Sequence, residues 1–425
     1  MLPQPRALLL GGFKAALAAV KAEAIMPALS PDTGAQRLLV LGAGKAAAAM
    51  AAGVETQLTD RELAGLAITR HGHGVNTQRI EVVEAGHPLP DAAGLAAAQR
   101  LVDLVHDAKP DDQVLALLSG GGSSLLSLPA TGIPLNDLQS LSRALLQSGA
   151  PIAEINCVRK HLSQTLGGRL AAACRAPVTV WLISDVAGDD PAVIASGPFA
   201  ADPTTYADAL DVLARRNIVA PDAIMQHLLA GTRGEIAETP KPGAACFNRV
   251  EHRLLANGRT ALQAAAQYFD NHGIRPVILG DTFSGEAREV AQVFAALCRE
   301  IRQHENPWTT PVVLLSGGET SVTVGAGSGR GGRNSEFLLA LAIALNGLDG
   351  VHALAADSDG IDGSEDNAGA LLAPDSLARA AALGIDARAK LDAHDAYGFF
   401  TVLDDLVMTG PTRTNVNDIR AILIL

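Results

Sequence analysis

The chain has 425 residues, of which 48% are hydrophobic and 18% charged, so it can bury a large core and is not a disordered polypeptide. Its formal net charge is −12, from 45 acidic and 33 basic residues. Because Lys and Arg neutralising phosphates supply most of the affinity of proteins for duplex DNA, this balance argues against a nucleic-acid-binding protein. Any bound phosphate is therefore expected in a local pocket.

Cysteine usage and hydropathy favour a soluble, cytoplasmic protein. The four cysteines are scattered and form no CxxC pair, which is typical of a reduced compartment. Lys14 interrupts the apolar N-terminal stretch, which argues against a signal peptide. Glycines and prolines break the uncharged segment 114–136, so we expect no membrane helix there. We therefore predict no nucleic-acid partner and no membrane partner.

In the first half of the chain, short apolar runs alternate with longer helical patterns. Strands are predicted at Arg37–Leu41, Gly65–Thr69, Ile80–Glu84, Val114–Leu118 and Val178–Ile183. Helices are predicted at Lys45–Gln57, Ala92–His106, Asn136–Gln147 and Ile155–Ala173. This alternation is typical of right-handed βαβ units and predicts an α/β fold with a mainly parallel sheet.

The periodicity lapses between Gly231 and Phe247, where we place a boundary between domains 1–235 and 250–425. A second α/β series follows. Its predicted strands are Leu254–Ala256, Val277–Leu279, Val312–Leu315, Ser321–Val324, Val351–Ala355 and Ile419–Leu425. Its predicted helices are Arg259–Asn271, Glu286–His304 and Asn334–Asn346.

The first candidate binding motif is Gly42–Ala47 (GAGKAA), which follows a predicted strand and opens a helix. Backbone N–H groups and the helix dipole favour an anion at such a position. The spacing also matches the dinucleotide fingerprint G-x-G-x-x-A, so an NAD(P) site stays open. A cation in the first helical turn is unfavourable unless an anion is bound, so Lys45 favours a bound anion over an exposed, solubilising lysine.

Two similar segments form the second candidate. Ser119–Ser124 and Ser316–Ser321 each follow a buried strand and continue as Ser-Gly-Gly and then a hydroxyl residue. Successive glycines let backbone amides form a concave nest for phosphate or carboxylate. Neither segment is a Walker A loop or a G-x-S-x-G elbow. A tight turn without a ligand is the alternative for each.

Acidic loops form the third candidate. Ser184–Asp190 and Asp357–Asp362 both follow predicted strands, where ligand sites of α/β proteins cluster. Oxygen-only ligands suit Mg²⁺, and we favour Asp185 and Asp189 over Asp357 and Asp359 as its ligands. Solvated loop carboxylates are the alternative. No histidine grouping indicates a zinc site.

Basic residues in two glycine-rich or polar segments form the fourth candidate. Arg159 and Lys160 lie in Asn156–His161, and Arg330 and Arg333 lie in Gly327–Asn334. Arginine offers a planar fork of donors for carboxylate or phosphate, and Arg333 and Asn334 precede a predicted helix. Together with the nests and carboxylate loops, these residues fit phosphoryl transfer, which requires positioning, Mg²⁺ and cationic neutralisation.

The sequence resembles the glycerate 2-kinase family, whose C-terminal module is called MOFRL. Nine segments in order carry the resemblance: Leu41–Ala51, Ala85–Asp91, Ser119–Leu125, Val158–Ala171, Ser184–Pro198, Leu315–Val324, Gly329–Phe337, Asp357–Gly363 and Thr409–Ile419. The resemblance implies a Rossmann-like N-terminal domain, a smaller α/β C-terminal domain and an active site in the cleft between them. It implies MgATP-dependent phosphorylation of D-glycerate at the 2-hydroxyl.

The resemblance also assigns roles to residues of this chain. Lys45 and Arg333 match the basic positions of the family that are expected to carry the transfer chemistry. We predict Lys45, Arg333 and Asp189 as catalytic, and, from their places after strands, Asp185, Asp189, Asp357 and Asp359 as metal ligands. The implied ATP-binding residues are Gly42, Gly44, Ser119, Gly120, Gly121, Gly122, Ser123, Ser316, Gly317, Gly318, Glu319 and Asn334. The implied substrate-binding residues are Arg159, Lys160, Ser196, Thr412 and Asn415.

Two other classes of function stay open at this stage. Family members are often labelled hydroxypyruvate reductases, and Gly42–Ala47 makes an NAD(P)H-dependent reductase conceivable. A nucleotide- or anion-sensing module without turnover is the non-enzymatic alternative. The sequence leaves open the general base, the nucleotide preference and the oligomeric state, with a homodimer as one arrangement.

Overall fold

The structure is a computed structural model that describes residues 4–29, 37–59, 61–324 and 329–425. The chain forms two compact units. We call Met26–Leu255 the central unit, and Met1–Ile25 together with Ala256–Leu425 the terminal unit. This division differs from the predicted domains 1–235 and 250–425, because the first 25 residues belong with the C-terminal part.

The first part of the chain supplies α1 and α2 and then the central unit. The helices are α1 (Pro5–Ala19), α2 (Ala22–Ile25), α3 (Ala47–Gln57), α4 (Ala92–Asp107), α5 (Gly122–Leu125), α6 (Leu135–Gln147), α7 (Ile152–His161), α8 (Arg169–Ala173), α9 (Tyr206–Arg215) and α10 (Asp222–Thr232). The strands are β1 (Leu38–Ala43), β2 (Leu63–Arg70), β3 (Ile80–Ala85), β4 (Gln113–Leu118), β5 (Val178–Ile183) and β6 (Val250–Ala256).

The central unit is built on a six-stranded sheet in the order β3-β2-β1-β4-β5-β6. The strands from β3 to β5 are parallel, and Leu38 of β1 pairs with both Leu63 of β2 and Gln113 of β4. All six residues of β1 are buried, as expected for a strand covered by helices on both faces. The strand order reverses between β1 and β4, which is the switch point of a doubly wound fold.

Most predicted strands and helices of the central unit are present, α9 and α10 were not predicted, and two predicted elements differ. The predicted helix Ile155–Ala173 is two helices, α7 and α8, because Gly167 and Gly168 adopt φ of +60° and +82° between them. The predicted strand Leu254–Ala256 is the end of β6, and it pairs beside β5 in the central sheet instead of opening the second series.

The terminal unit carries the remaining elements. Its further helices are α11 (Gly258–Asn271), α12 (Ala287–His304), α13 (Arg333–Leu345), α14 (Ser376–Ala382), α15 (Ala387–Asp392) and α16 (Ala396–Val402). Its strands are β7 (Arg275–Gly280), β8 (Gly285–Glu286), β9 (Val312–Gly318), β10 (Thr320–Ser321), β11 (Val351–Asp357), β12 (Gly369–Leu372), β13 (Leu406–Val407) and β14 (Asp418–Ile424).

The main sheet of the terminal unit is mixed, in the order β13-β12-β11-β14-β9-β7. The C-terminal strand β14 lies in its middle, antiparallel to both β11 and β9, whereas β7 and β9 are parallel. All seven residues of β14 are buried, including the charged Asp418 and Arg420. The strands β8 and β10 form a separate two-stranded ladder.

Helix α1 belongs to the terminal unit because its apolar face packs there. Leu8, Leu9 and Phe13 are at most 2% exposed. A Cβ on Gly12 would lie 2.4 Å from the ring of Phe269 in α11, so α1 and α11 are in close contact. Arg6 adds an ion pair to Asp405 at 2.6 Å. No helix in the described part of the chain is long and apolar enough to cross a membrane.

Candidate functional site

In the central unit, the polar segments identified from the sequence follow β1, β4 and β5, which are neighbours in the sheet. Parallel strands end at the same edge, so Lys45, Ser119–Ser123 and Asp185–Asp189 follow strands that end on one side of the sheet. The first two segments flank the switch point between β1 and β4, where ligands of open α/β sheets bind.

The glycine motif after β1 is not the open anion site that its spacing predicts. The N–H of Gly44 donates to the carbonyl of Ile68 at 3.1 Å, and the N–H of Lys45 donates to the carbonyl of Gly120 at 2.9 Å. The N–H of Ala46 donates to Oγ of Ser119 at 3.0 Å. Three amides that would hold a pyrophosphate in a dinucleotide-binding protein therefore already have protein acceptors.

Gly44 instead allows the segments after β1 and β4 to meet. Its φ is +131°, and a Cβ there would lie 2.2 Å from Oγ of Ser119. Gly42 is similarly tight, since a Cβ on it would lie 2.9 Å from Cβ of Ala67 in β2. Both glycines thus act through close packing.

The segment after β4 does provide unused backbone donors. Gly121 has φ of +84° and caps the short helix α5, while Gly122 donates its N–H to the carbonyl of Ser119. In the part of the chain that the structure describes, the N–H groups of Gly120 and Gly121 have no acceptor. This is the local geometry of an anion nest.

Two side chains adjoin that nest. A Cβ on Gly121 would lie 3.5 Å from Cγ of Lys45 and 3.1 Å from Nε2 of His87. The lysine is half-buried, and the stem of its side chain lies beside the Ser119–Ser123 segment. The arrangement suits an anion bound by Lys45 and the nest together.

The acidic segment after β5 offers half-buried carboxylates. Asp185 and Asp189 are both partly exposed, and Asp189 has φ of +55°. Among the described residues, no group of three or more His, Cys, Asp or Glu side chains is arranged to hold a metal ion. Mg²⁺ usually binds proteins through one or two carboxylates and completes its shell with water and substrate phosphates, and these two residues fit that mode.

A chain of hydroxyl groups connects the nest to helix α7. Oγ of Ser123 lies 2.7 Å from Oγ of Ser196, which donates to Oδ1 of Asn156 at 3.0 Å. Ser196 is fully buried with φ of +56°, a conformation that costs free energy in a residue other than glycine. The network places Ser196 next to the segment after β4.

The two basic residues of α7 differ in their surroundings. Burial lowers the pKa of the Arg159 guanidinium, which has no hydrogen-bond acceptor among the described residues. Lys160, by contrast, is buried and pairs with Asp202, with 3.4 Å between Nζ and Oδ1. Arg159 is therefore the residue of this pair whose charge is available to a ligand.

In the terminal unit, the second Ser-Gly-Gly segment does not resemble the first in structure. Ser316, Gly317 and Gly318 complete β9 and pair with Arg420, Ile419 and Asp418 of β14. Gly318 has φ of +100° and contacts the backbone of Phe283, where a Cβ would lie 2.3 Å from the carbonyl oxygen. The predicted second nest is therefore replaced by a strand, because β14 supplies an antiparallel partner.

Arg333 begins α13 and lies in a cluster of carboxylates. Its Nε donates to both oxygens of Asp418 at 2.9 Å, and its Nη2 donates to Oδ2 of Asp357 at 2.7 Å. Its Nη1 lies 3.1 Å from the exposed Glu319. Burial by itself would lower the pKa of Arg333, but the charges of Asp418 and Asp357 outweigh it and raise that pKa well above its usual value.

Buried polar residues hold the carboxylates of this cluster in place through hydrogen bonds. Asn334 donates from Nδ2 to Asp418 at 2.7 Å, and Arg420 donates to the other oxygen of Asp418 at 2.7 Å. Asp362 accepts from the N–H groups of Asn334 and Ser335. Burial raises the pKa of Asp362 although these hydrogen bonds oppose the shift. Asn334 is thus held in place within the protein.

Asp357 and Asp359 take part in the same network. Oδ1 of Asp357 accepts from the N–H of Asp359 at 2.9 Å, and Oδ1 of Asp359 accepts from the N–H of Ile361. Both residues are at most 3% exposed. Thr412 donates its N–H to the carbonyl of Asp359, and Asn415 follows in the same segment. These contacts favour a structural role for both aspartates.

Three side chains of these clusters were not singled out from the sequence. His87 lies in the segment Ala85–Asp91, which carries the family resemblance, so that signal was available. Asn156 and Asp418 lie in the named segments Asn156–His161 and Thr409–Ile419, but spacing does not indicate their partners Ser196 and Arg333, which are 40 and 85 positions away.

The doubly wound central sheet and the mixed sheet of the terminal unit define a two-unit α/β protein with a glycine-rich nest at the switch point of the central sheet. A family described as a domain of unknown function, DUF4147, matches residues 8–229, and the MOFRL family matches residues 312–418. The chain, which matches both family models, belongs to the glycerate 2-kinase family.

Individual relatives carry two different names. A "Putative hydroxypyruvate reductase" from Agrobacterium vitis is 50% identical over 97% of this chain and 93% of its own length. The D-glycerate 2-kinase of Thermotoga maritima is 38% identical over 93% of this chain and 92% of its own length. A crystal structure of glycerate kinase from Thermotoga maritima has a TM-score of 0.84 and 36% identity, and the match covers 99% of each chain.

Proposed function

We propose that this chain is a glycerate kinase that transfers the γ-phosphoryl group of ATP to the 2-hydroxyl of D-glycerate. The observation that carries the proposal is the match over nearly the full length of both chains to the glycerate kinase structure, with a TM-score of 0.84. The nest at the switch point, with Lys45 beside it, is the local feature that phosphoryl transfer requires.

In the central unit, Lys45 and the amides of Gly120 and Gly121 hold phosphate oxygens. Phosphoryl transfer disperses negative charge over these oxygens in the transition state, and a preorganised cation with free N–H donors stabilises it. Ser123 lies at the same segment, and Ser196 fixes it through their hydroxyl contact of 2.7 Å. Gly42, Gly44 and Ser119 support the nest by packing and hydrogen bonds. In this proposal they do not contact ATP themselves.

Arg159 binds the carboxylate of glycerate in this proposal. Its guanidinium has a planar fork that matches a carboxylate, and burial weakens competition by water. Lys160 contributes indirectly, because its ammonium is already paired with Asp202 and keeps α7 in position.

Mg²⁺ accompanies the nucleotide, and Asp185 and Asp189 would hold it at the end of β5. When bound, the ion supplies charge neutralisation at the phosphates. Both residues follow β5, the neighbour of β4, so their carboxylates belong to the edge at which the nest lies. The carboxylates of Asp357 and Asp359 serve the Arg333 cluster in this proposal.

Arg333 is the basic group that the terminal unit contributes. Asp418 and Asp357 accept hydrogen bonds from its Nε and Nη2. Its remaining nitrogen, Nη1, pairs with the exposed Glu319. A phosphate or carboxylate that displaced Glu319 would receive a fully charged, preoriented donor. Thr412 and Asn415 complete the polar surroundings proposed for the substrate.

The reductase is the second candidate, because relatives at 50% identity carry that name. The geometry of the glycine motif argues against it. A dinucleotide bound in the usual way requires the amides that open the first helix, and those of Gly44, Lys45 and Ala46 already donate to protein acceptors. A reductase would need a different cofactor site.

One experiment separates the candidates. The purified chain is assayed for ADP release with D-glycerate and MgATP, and for loss of nicotinamide absorbance with hydroxypyruvate and NADPH. We expect ADP release that depends on D-glycerate, with 2-phosphoglycerate as the product identified by ³¹P NMR. NADPH oxidation without ADP would establish the reductase, and ligand binding without either product would indicate a sensor.

A further inference from the structure

A cavity of about 600 Å³ in the central unit contains none of the residues assigned above to ATP, Mg²⁺ or glycerate. It is lined by the segment before α6, by the turn that leads into α8, and by residues of α9, α10 and the segment that follows α10. A volume of roughly 300–1,000 Å³ is typical of sites for small organic molecules. The question is which chemistry this cavity would accept.

Arg169 gives the cavity a positive charge that the described protein does not neutralise. Its Nη2 donates to the hydroxyl of Tyr206 at 3.2 Å, and no carboxylate within the described ranges lies within 4 Å of it. Its Nε–H is buried and has no acceptor in the described chain. Other arginines of this unit, such as Arg37 and Arg100, have carboxylate partners. A buried donor without an acceptor is costly, so a ligand that supplies one is favoured.

The carboxylate that lines the cavity does not compensate for Arg169. Oε1 of Glu238 accepts from the N–H of Tyr206 at 3.0 Å. Its Oε2 lies 3.1 Å from Nζ of Lys241 and 3.3 Å from Nε2 of His161. Both oxygens of Glu238 already have donors. The guanidinium of Arg169 is therefore the charged group that dominates the electrostatic potential in the cavity.

His227 supplies an acceptor beside this cation. Its Nε2 lies 3.1 Å from the carbonyl oxygen of His161, and a carbonyl can only accept, so Nε2 carries the hydrogen. Burial lowers the pKa of His227, which keeps the ring neutral and leaves Nδ1 unprotonated. The cavity therefore combines a strong donor fork with a neutral acceptor and with apolar walls that include Ile236.

We propose that this cavity binds a small hydroxylated organic anion, whose carboxylate or phosphate would pair with Arg169 and whose hydroxyl would donate to Nδ1 of His227. The site is separate from the one proposed for phosphoryl transfer and does not depend on that proposal. A carboxylate and a phosphate ester present the same oxygen-acceptor chemistry to a guanidinium, and binding measurements distinguish them.

The test is isothermal titration calorimetry on the full chain with citrate as the carboxylate probe, glycerol 3-phosphate as the phosphate probe and glycerol as the neutral probe. We expect at least one anion to bind and glycerol to bind much more weakly. Arg169→Gln should weaken that binding about tenfold or more, since a charge-assisted fork is lost. Arg253→Gln is the matched control, because Arg253 is exposed and pairs with Glu251.

A second variant keeps the proposal testable if Arg169→Gln fails to fold. Ala172 is an exposed residue of α8 that lines the cavity, so Ala172→Phe should fill the space and abolish binding while the thermal unfolding midpoint stays near the wild-type value. The proposal fails if neither anion binds at millimolar concentration. It also fails if Ala172→Phe and a folded Arg169→Gln both bind the anion as tightly as the wild-type chain.

Discussion

Lys45 is the residue on which the proposed chemistry depends most directly. It lies beside the free amides of Gly120 and Gly121, whereas the amides of its own helix are already used. We expect Lys45→Ala to lower kcat about 10³-fold, because cationic groups at the transferring phosphoryl contribute on that scale. Steady-state ADP release measures this effect. Lys109→Ala, at an exposed lysine, is the control, and near-normal turnover in Lys45→Ala would refute the assignment.

The role of Arg333 is better tested by a substitution that keeps its charge than by truncation to alanine. Arg333→Ala would leave buried Asp357 without this cation and Asp418 with Arg420 alone, at a cost of about 3–5 kcal/mol in the free energy of unfolding. We therefore predict that Arg333→Lys, which keeps the charge and loses the donor fork, lowers kcat at least tenfold with a smaller change in stability.

Arg330 is the matched control for Arg333, three positions earlier in the chain. Its side chain is 61% exposed, pairs with Glu365 and lies over the ring of Tyr397. Arg330→Lys should change kcat little. If Arg330→Lys were the more damaging variant in the same ADP assay, the wrong arginine has been assigned.

Asp189 is testable through its metal dependence. Asp189→Asn should raise the Mg²⁺ concentration needed for half-maximal activity about tenfold or more, as losses of metal-site groups typically do. Asn also tolerates the φ of +55° at this position, so the backbone should be preserved. Asp190→Asn is the control, since Asp190 is exposed. An unchanged Mg²⁺ titration for Asp189→Asn would remove it from the site.

At the scale of elements, the packing of the segments after β1 and β4 decides which amides are free. Gly44→Ala would place a methyl group 2.2 Å from Oγ of Ser119 and 2.5 Å from its carbonyl oxygen. Gly72 also has a positive φ, of +81°, but a Cβ on it would have no atom within 4 Å. We expect Gly72→Ala to cost about 1–2 kcal/mol and Gly44→Ala about 1–3 kcal/mol more.

Urea unfolding of the two glycine variants measures the difference. Gly44→Ala should also lose ADP-forming activity, because the displaced segment carries Lys45. Equal unfolding free energies for the two variants would mean that the contact with Ser119 is not tight in solution.

The two Ser-Gly-Gly segments have similar sequences but belong to different secondary-structure elements. Both were predicted as nests, but only the one after β4 turns into a helix with Gly121 in the left-handed region. The other runs on as β9 because β14 pairs with it along its whole length. Strand pairing with a segment about 100 residues away cannot be read from the motif itself.

At the scale of the whole molecule, the N-terminal helix belongs to the unit formed by the C-terminal part of the chain. Deletion of residues 1–25 would remove buried Leu8, Leu9 and Phe13 and expose Phe269. Burial of each such side chain contributes about 1.5–3 kcal/mol, so the loss approaches the total stability of a typical domain. We expect the truncated chain to show a much lower unfolding midpoint or to aggregate.

Thermal unfolding followed by circular dichroism tests this expectation. Deletion of residues 1–3 is the control, because it leaves every residue of α1. Wild-type stability of the chain lacking residues 1–25 would mean that α1 does not contribute to the fold of the terminal unit.

The sequence by itself determined the α/β class, most strands and helices, the family and the segments that carry polar chemistry. These features depend on local patterns, such as apolar periodicity and glycine after a strand, which short stretches of chain encode. Lys45, Arg159 and Asp189 could be named because each lies in such a segment. The resemblance over nine ordered segments added the implied reaction.

Only the tertiary structure decided which of those groups are available. The amides of Gly44, Lys45 and Ala46 are occupied, Lys160 is paired with Asp202, and Arg333 is held by Asp357 and Asp418. It also decided that residues 4–25 pack with the C-terminal part of the chain. The physical reason is that hydrogen-bond and charge satisfaction depends on partners 24–85 positions away, which meet only when strands and helices pack.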